Sequence, residues 1–147
     1  MDTHIRWIKG TDLDTVHRID FEVNDYPSSE LREIMKQQNT VCLVAASDND
    51  DDIVRGFIIY RFLEPVFDIL HLAVDGDCWK QGVGTALLNK IKDKVSINTT
   101  REIRITITES NLRAARFLKN RGFVSQFVHK DYFETGVDGY TMIWRKP

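Results

Sequence analysis

Between Phe67 and Thr108 the chain changes its hydrophobic period twice. "FDILHLAV" and "REIRITIT" are dense in apolar and β-branched residues, as strands are. Between them, "GTALLNKIKDKV" sets Leu87, Leu88, Ile91 and Val95 on one face of a 3.6-residue period, with Lys90, Lys92 and Lys94 pointing elsewhere. Strand, helix and strand in that order make a right-handed crossover between two parallel strands. A parallel pair needs a helix over it, so the architecture is α/β.

The flanks extend this unit into a sheet. "HIRWIK" alternates Ile5 and Trp7 against polar neighbours, as a short strand does. Asp12 is placed to cap a helix carrying Leu13, Val16 and Ile19. "YPSSELREIMKQQ" predicts a second helix, capped by Ser28 or Ser29, with Leu31, Ile34 and Met35 as its apolar stripe. "TVCLVAA" and "IVRGFIIYRFL" then form an antiparallel hairpin across the polar turn "DNDDD". That acidic cluster lacks the spacing and closing Glu of a calcium loop, so a solvated turn is expected and no metal site. "SNLRAARFLKNRG" predicts a helix with Leu112, Ala115 and Leu118 inward and Gly122 as its stop. "FVSQFVHKDYF" and "GYTMIWRK" predict two last strands joined by a turn near Gly136 to Gly139. The expected fold is one domain over residues 1–147, a mixed sheet of about seven strands with about four helices on its faces.

The loop before the long helix, "DCWKQGVG", holds two glycines one residue apart. A helix N-terminus carries unpaired N–H groups and the positive end of the helix dipole. Glycines there let a ligand's phosphates approach the backbone. No Asp or Glu from Lys80 to Leu88 occupies those donors, and Lys80, Gln81 and Thr85 add more. The plainer alternative is a glycine-softened loop. A P-loop is excluded, since Gly-x-x-x-x-Gly-Lys-Ser/Thr is absent. A dinucleotide fingerprint is excluded too, because Leu87 stands where a third small residue is needed and the loop after Val74 is long.

Composition closes other classes. A net charge of −2 gives no basic field for nucleic acid. No apolar run is long enough for a membrane helix, and "MDTHIRWIKG" lacks the apolar core of a signal peptide. Cys42 and Cys78 show no metal-type pairing and are expected as free thiols in a reducing, cytoplasmic compartment.

"LAVDGDCWKQGVGTALL" resembles the acetyl-CoA signature of the GNAT N-acetyltransferases, Arg/Gln-x-x-Gly-x-Gly/Ala after a strand. "ESNLRAARFLKNRGF" is similar to the Asn-x-x-Ala segment of that family ending in Gly-Phe. "DYPSSELREI", "HKDYF" and "DGYTMIW" resemble its ribosomal-protein alanine acetyltransferase group. The pieces cover most of the chain in the family's order.

The resemblance implies a fold in which the fourth strand splays from the fifth. Backbone groups of Leu72, Ala73 and Val74 would pair with the pantetheine arm of acetyl-CoA. The pyrophosphate would rest on Lys80, Gln81, Gly82, Val83, Gly84 and Thr85. Asn111 would hold the cofactor arm. Arg113, Arg116 and Lys119 are either contacts of the 3′-phosphate or an exposed basic face. Departures from the family stand at Leu118 (its acid Tyr), Thr106 (its carboxylate) and Trp79 (its first Arg/Gln).

Direct attack of an amine on a thioester needs a proton acceptor and tolerates a thiolate leaving group. Histone-type members carry a Glu where Asp68 stands, so the resemblance implies Asp68 as a base. Burial in an apolar strand would raise its pKa, whereas an Asp at the strand end facing water has no such role. Tyr132 matches a Tyr that contacts peptide substrates, and it can instead supply a proton or simply pack. Alternation sets His71 on the face opposite Asp68, as a core histidine. Glu109 is a weaker candidate, since capping the helix at Ser110 accounts for it. The expected function is acetyl-CoA-dependent N-acetylation of a primary amine, on a protein N-terminus or a small molecule, by a monomer or homodimer. The alternatives are a non-catalytic acyl-CoA-binding or regulatory module and, third, an interaction domain without a cofactor.

Overall fold

A computed structural model of the chain describes residues 2–23, 31–97, 101–133 and 136–147. Among these, seven strands form one sheet in the order β1-β2-β3-β4-β5-β7-β6. The strands are β1 (Thr3–Trp7), β2 (Thr40–Ser47), β3 (Val54–Leu63), β4 (Val66–Val74), β5 (Glu102–Thr108), β6 (Val124–His129) and β7 (Gly139–Arg145). The helices are α1 (Leu13–Val23), α2 (Leu31–Met35), α3 (Val83–Ile97) and α4 (Leu112–Lys119). Among the described residues, only β4 and β5 pair in parallel, as the crossover requires. No helix among the described residues is long and apolar enough to cross a membrane.

Each face of the sheet has its own core. Leu87, Leu88, Ile91 and Val95 of α3 are fully buried against Ile58, Phe67, Ile69 and Ile103, with Leu118 of α4 beside them. Val16 and Ile19 of α1 and Leu31 of α2 cover Phe57, Ile59 and Ala73 on the other face. Each such Val, Leu, Ile or Phe side chain contributes about 1.5–3 kcal/mol by leaving water. Covered on both sides, β2 and β3 read as near-continuous apolar runs rather than alternating ones.

Two irregularities in β4 shape everything that follows. Its ladder with β5 joins only Val66–Ile69 to Glu102–Ile105. Beyond that, β4 stays with β3 and β5 stays with β7, so the two strands part and a cleft opens between them. Just there β4 carries a bulge: Ile59 faces His71 and Tyr60 faces Ile69, which leaves Leu70 as the extra residue. Phe67, Ile69, Leu72 and Val74 face the α3 core, and Leu70 and Ala73 face α1. The bulge therefore puts His71 on the same face as Asp68, towards α1, and corrects the simple alternation.

Other expectations change in detail. Leu112 is 69% exposed, because the helix starts only at that residue and turns Ala114, Phe117 and Leu118 inward. Trp7 is exposed while Ile5 packs into the core. Asp12 is buried, accepting the Lys9 N–H at 2.7 Å and pairing with Arg6. The acidic turn is engaged rather than simply solvated: Asp48 and Asp51 bind the two ring nitrogens of His4 at 2.8 and 2.6 Å. β6 ends at His129, short of the predicted Phe133, and Asp131 turns with φ 52°. The predicted caps Ser28 and Ser29 lie outside the described residues.

Candidate active site

The cleft between the parted strands is bounded by Asp68–Val74 of β4, Ile105–Thr108 of β5, the start of α3, α4, and Tyr132 with Phe133 at the rim. Val23, at the end of α1, also reaches it.

The α3 end of the cleft suits an anion. The Gly82 carbonyl accepts the first intrahelical bond, from the Ala86 N–H at 2.9 Å. The N–H groups of Val83, Gly84 and Thr85 come before it and have no partner within the helix. The first turn carries no acidic residue. Lys80 and Gly82 both adopt left-handed backbone, at φ 65° and 82°. Gly84 lies against α4, where a Cβ would stand 3.1 Å from Cζ of Phe117. These donors at the positive end of a dipole favour negative charge.

The loop is held from several sides. The Trp79 indole N–H donates to the Val74 carbonyl at 2.9 Å, and the Arg113 guanidinium lies 3.8 Å from the centre of its ring. The Gln81 amide donates to the Asp77 carbonyl at 3.3 Å. Arg121 stacks on Phe117, donates through Nε to Thr85 Oγ1 at 2.8 Å, and donates to the Phe117 carbonyl at 3.1 Å. The Thr85 hydroxyl is thus an acceptor whose own proton is still available. Arg121 lines the cleft together with the more exposed Arg113 and Arg116, whereas Lys119 does not; of the four, Arg121 is the one with no signal in the sequence.

Asn111 caps α4: its Oδ1 accepts the Ala114 N–H at 3.1 Å, which leaves its NH2 group as a donor. Leu118, at the position of the family's acid, is buried in the core. The Thr106 hydroxyl meets that of Thr141 at 2.8 Å. Glu109 is exposed.

Asp68 is half-buried where β4 is still paired on both sides. Burial pushes its carboxyl up from the ordinary range, and Arg61 and Arg104 pull against that shift. Arg61 Nη2 lies 3.7 Å away. Tyr132 is exposed at the rim and packs on the backbone of Gly139 beside Thr106. Further along β4, His71 turns Nδ1 towards the fully buried Asp20 of α1, at 3.4 Å. Asp20 follows Ile19 and sits four residues after Val16, so an acid on an apolar stripe was a legible signal. The bulge that presents His71 had no such signal.

The model of the acetyltransferase (GNAT) family matches residues 10–123. An uncharacterized N-acetyltransferase of Methanocaldococcus jannaschii is 30% identical over 146 residues, covering 97% of this chain and 92% of that protein. The [ribosomal protein bS18]-alanine N-acetyltransferase of Escherichia coli is 23% identical over 128 residues, covering 87% of this chain and 85% of that one. The crystal structure of NAA60 from Arabidopsis thaliana in complex with acetyl-CoA superposes with a TM-score of 0.84 at 17% identity, over 99% of this chain and 100% of that one. With the parted strands and the bare helix start already in view, these matches place the chain in the acetyltransferase (GNAT) family, as an acyltransferase.

Proposed function

We propose that this protein transfers the acetyl group of acetyl-CoA to the free amino group of a protein or peptide N-terminus, by direct attack within a ternary complex. The observation that carries this is the start of α3, an acid-free turn with its N–H donors open beside a cleft between two parted strands. Val83, Gly84 and Thr85 would take the pyrophosphate on their N–H groups, with Lys80, Gln81 and Gly82 shaping the loop around it. Leu72, Ala73 and Val74 would offer the backbone groups on the cleft side of β4 to the pantetheine arm, and Asn111 its NH2 group. Backbone N–H donors of β4 would also stabilise the oxyanion as the amine adds.

Two things support a peptide acceptor. Tyr132 and Phe133 form an aromatic rim at the cleft, with ring centres 4.9 Å apart. The Escherichia coli relative is named for an alanine of a ribosomal protein. Tyr132 would contact the peptide or return a proton to the departing thiolate. Asp68 would draw the proton from the ammonium, a role that its raised pKa favours and its pairing with Arg61 opposes.

The test is acetyl-CoA with octapeptides bearing a free Ala, Ser or Met terminus, against N-terminally blocked peptides containing lysine. Release of CoA thiol with acetylation of the free termini alone supports the proposal. Acetylation of lysine alone moves the acceptor to a side chain. The buried Leu118 and the Thr106–Thr141 pair, which replace the family's acid and carboxylate, favour a second reading, a non-catalytic acyl-CoA-binding module. It predicts tight binding and no turnover on any amine.

A further inference from the structure

We infer that His71, oriented by Asp20, is the group that takes the proton from the incoming amine; the inference rests on the acetyl-transfer reading above. The β4 bulge sets Leu70 and His71 on one face, so the imidazole stands on the cleft wall where β4 leaves β5. Its Nδ1 lies 3.4 Å from Oδ1 of Asp20, a carboxylate with no exposed surface. That separation is ion-pair range and longer than a hydrogen bond, and catalytic contacts of this kind tighten once substrate is bound. A buried carboxylate at one ring nitrogen fixes the tautomer with a proton on Nδ1. It also stabilises the imidazolium that forms when Nε2 accepts a second proton.

The neighbours argue for His71 over Asp68. Asp68 has Arg61 of β3 and Arg104 of β5 beside it, which favour its charged form and compete for its lone pairs. Among the described residues, Asp20 on α1 faces His71, and Asp68 lies on the same face of β4; across the cleft, β5 presents the uncharged Thr106 and Thr108, and the rim presents Tyr132.

The step balances without another reactant. The ammonium loses one proton to Nε2 of His71, and the freed lone pair forms the N–C bond to the thioester carbonyl. Collapse of the adduct breaks C–S, and sulfur keeps the electron pair. The second amine proton goes to the thiolate, and the imidazolium returns its own to solvent.

The experiment is the pH profile of kcat/KM on an acceptor octapeptide for wild type, His71→Gln, Asp20→Asn and Asp68→Asn, with calorimetric acetyl-CoA binding and thermal unfolding for each. His71→Gln is expected to bind acetyl-CoA within twofold of wild type, to lose about 10²–10⁴-fold in kcat, and to lose the acid limb of the profile. Asp20 acts through His71 as a positioning residue, so Asp20→Asn is expected to move that limb to lower pH. Should Asp20→Asn fail to fold, His71→Gln decides alone. Turnover by His71→Gln within twofold of wild type overturns the inference and leaves acetyl transfer standing. So does loss of the acid limb in Asp68→Asn but not in His71→Gln. A wild type that binds acetyl-CoA and acetylates no amine overturns the acetyl-transfer reading, and the role of His71 with it.

Discussion

The Trp79 indole N–H and the Val74 carbonyl meet at 2.9 Å, tying the loop before α3 to the last residue of β4. Two parts of the cleft, the strand that would take the arm and the loop that would take the phosphates, are thereby set in one geometry. Trp79→Phe keeps an aromatic ring beneath Arg113 and removes the donor together with part of the indole surface. A neutral hydrogen bond of this kind contributes about 0.5–1.5 kcal/mol. Acetyl-CoA binding should weaken by roughly 2- to 12-fold by calorimetry. Unchanged or tighter binding means that the loop is ordered without this bond.

Gly139 decides where Tyr132 sits. A Cβ there would fall 2.9 Å from Cγ2 of Thr106 and 3.0 Å from Cβ and Cγ of Tyr132. Gly139→Ala should push Tyr132 off the cleft rim at a stability cost of about 1–3 kcal/mol. In steady-state kinetics the peptide KM should rise while the KM for acetyl-CoA holds. If both rise together, the substitution has disturbed the whole cleft and the rim role of Tyr132 is not supported.

Arg121 joins the two helices of the cradle through Thr85 and Phe117. A lysine cannot stack on Phe117 and donate in two directions at once. Arg121→Lys should lower stability by about 1–2 kcal/mol in urea unfolding, since bonds from a charged donor are worth more than neutral ones. It should also weaken acetyl-CoA binding. Wild-type values for both would show the joint to be dispensable.

At the far edge of the sheet His4 links β1 to the β2–β3 turn. Its pKa is raised from 6.5, first by the hydrogen bond to Asp48 and then by that to Asp51. A raised folded pKa stabilises fully below the unfolded value and is lost as pH climbs through the folded one. Wild type should therefore lose thermal stability from about pH 6.5 upward. His4→Gln should show a smaller loss over the same range. Parallel Tm profiles for the two proteins would contradict the assignment.

The element order was legible because each segment keeps one period: β2 to β4 are apolar and β-branched, and α3 repeats its stripe through Val95. The loop before α3 was legible for a local reason, its glycines and missing acids. What stayed hidden depends on pairing between distant segments. The β4 bulge arises only in register against β3, and it alone turns His71 towards Asp20, 51 positions earlier in the chain. Arg121 reads as one more basic residue on a polar helix end, and only the fold brings it to Thr85. The inward placement of Leu112 failed at a helix terminus, where periodicity carries least information.

The central claim is that the start of α3 receives the phosphates of acetyl-CoA. Gly84→Glu tests it most directly, by calorimetric titration of acetyl-CoA into both proteins. A carboxylate in the first turn suits the helix itself, so the variant should fold, with a Tm lowered only by the shift of Phe117 that the added Cβ requires. The same carboxylate competes for the donors that the pyrophosphate needs, and its Cβ crowds Phe117 at 3.1 Å. Wild type should bind, and the folded variant should show no measurable heat of binding. Equal binding by the two, or a well-folded wild type that does not bind acetyl-CoA, would contradict the account.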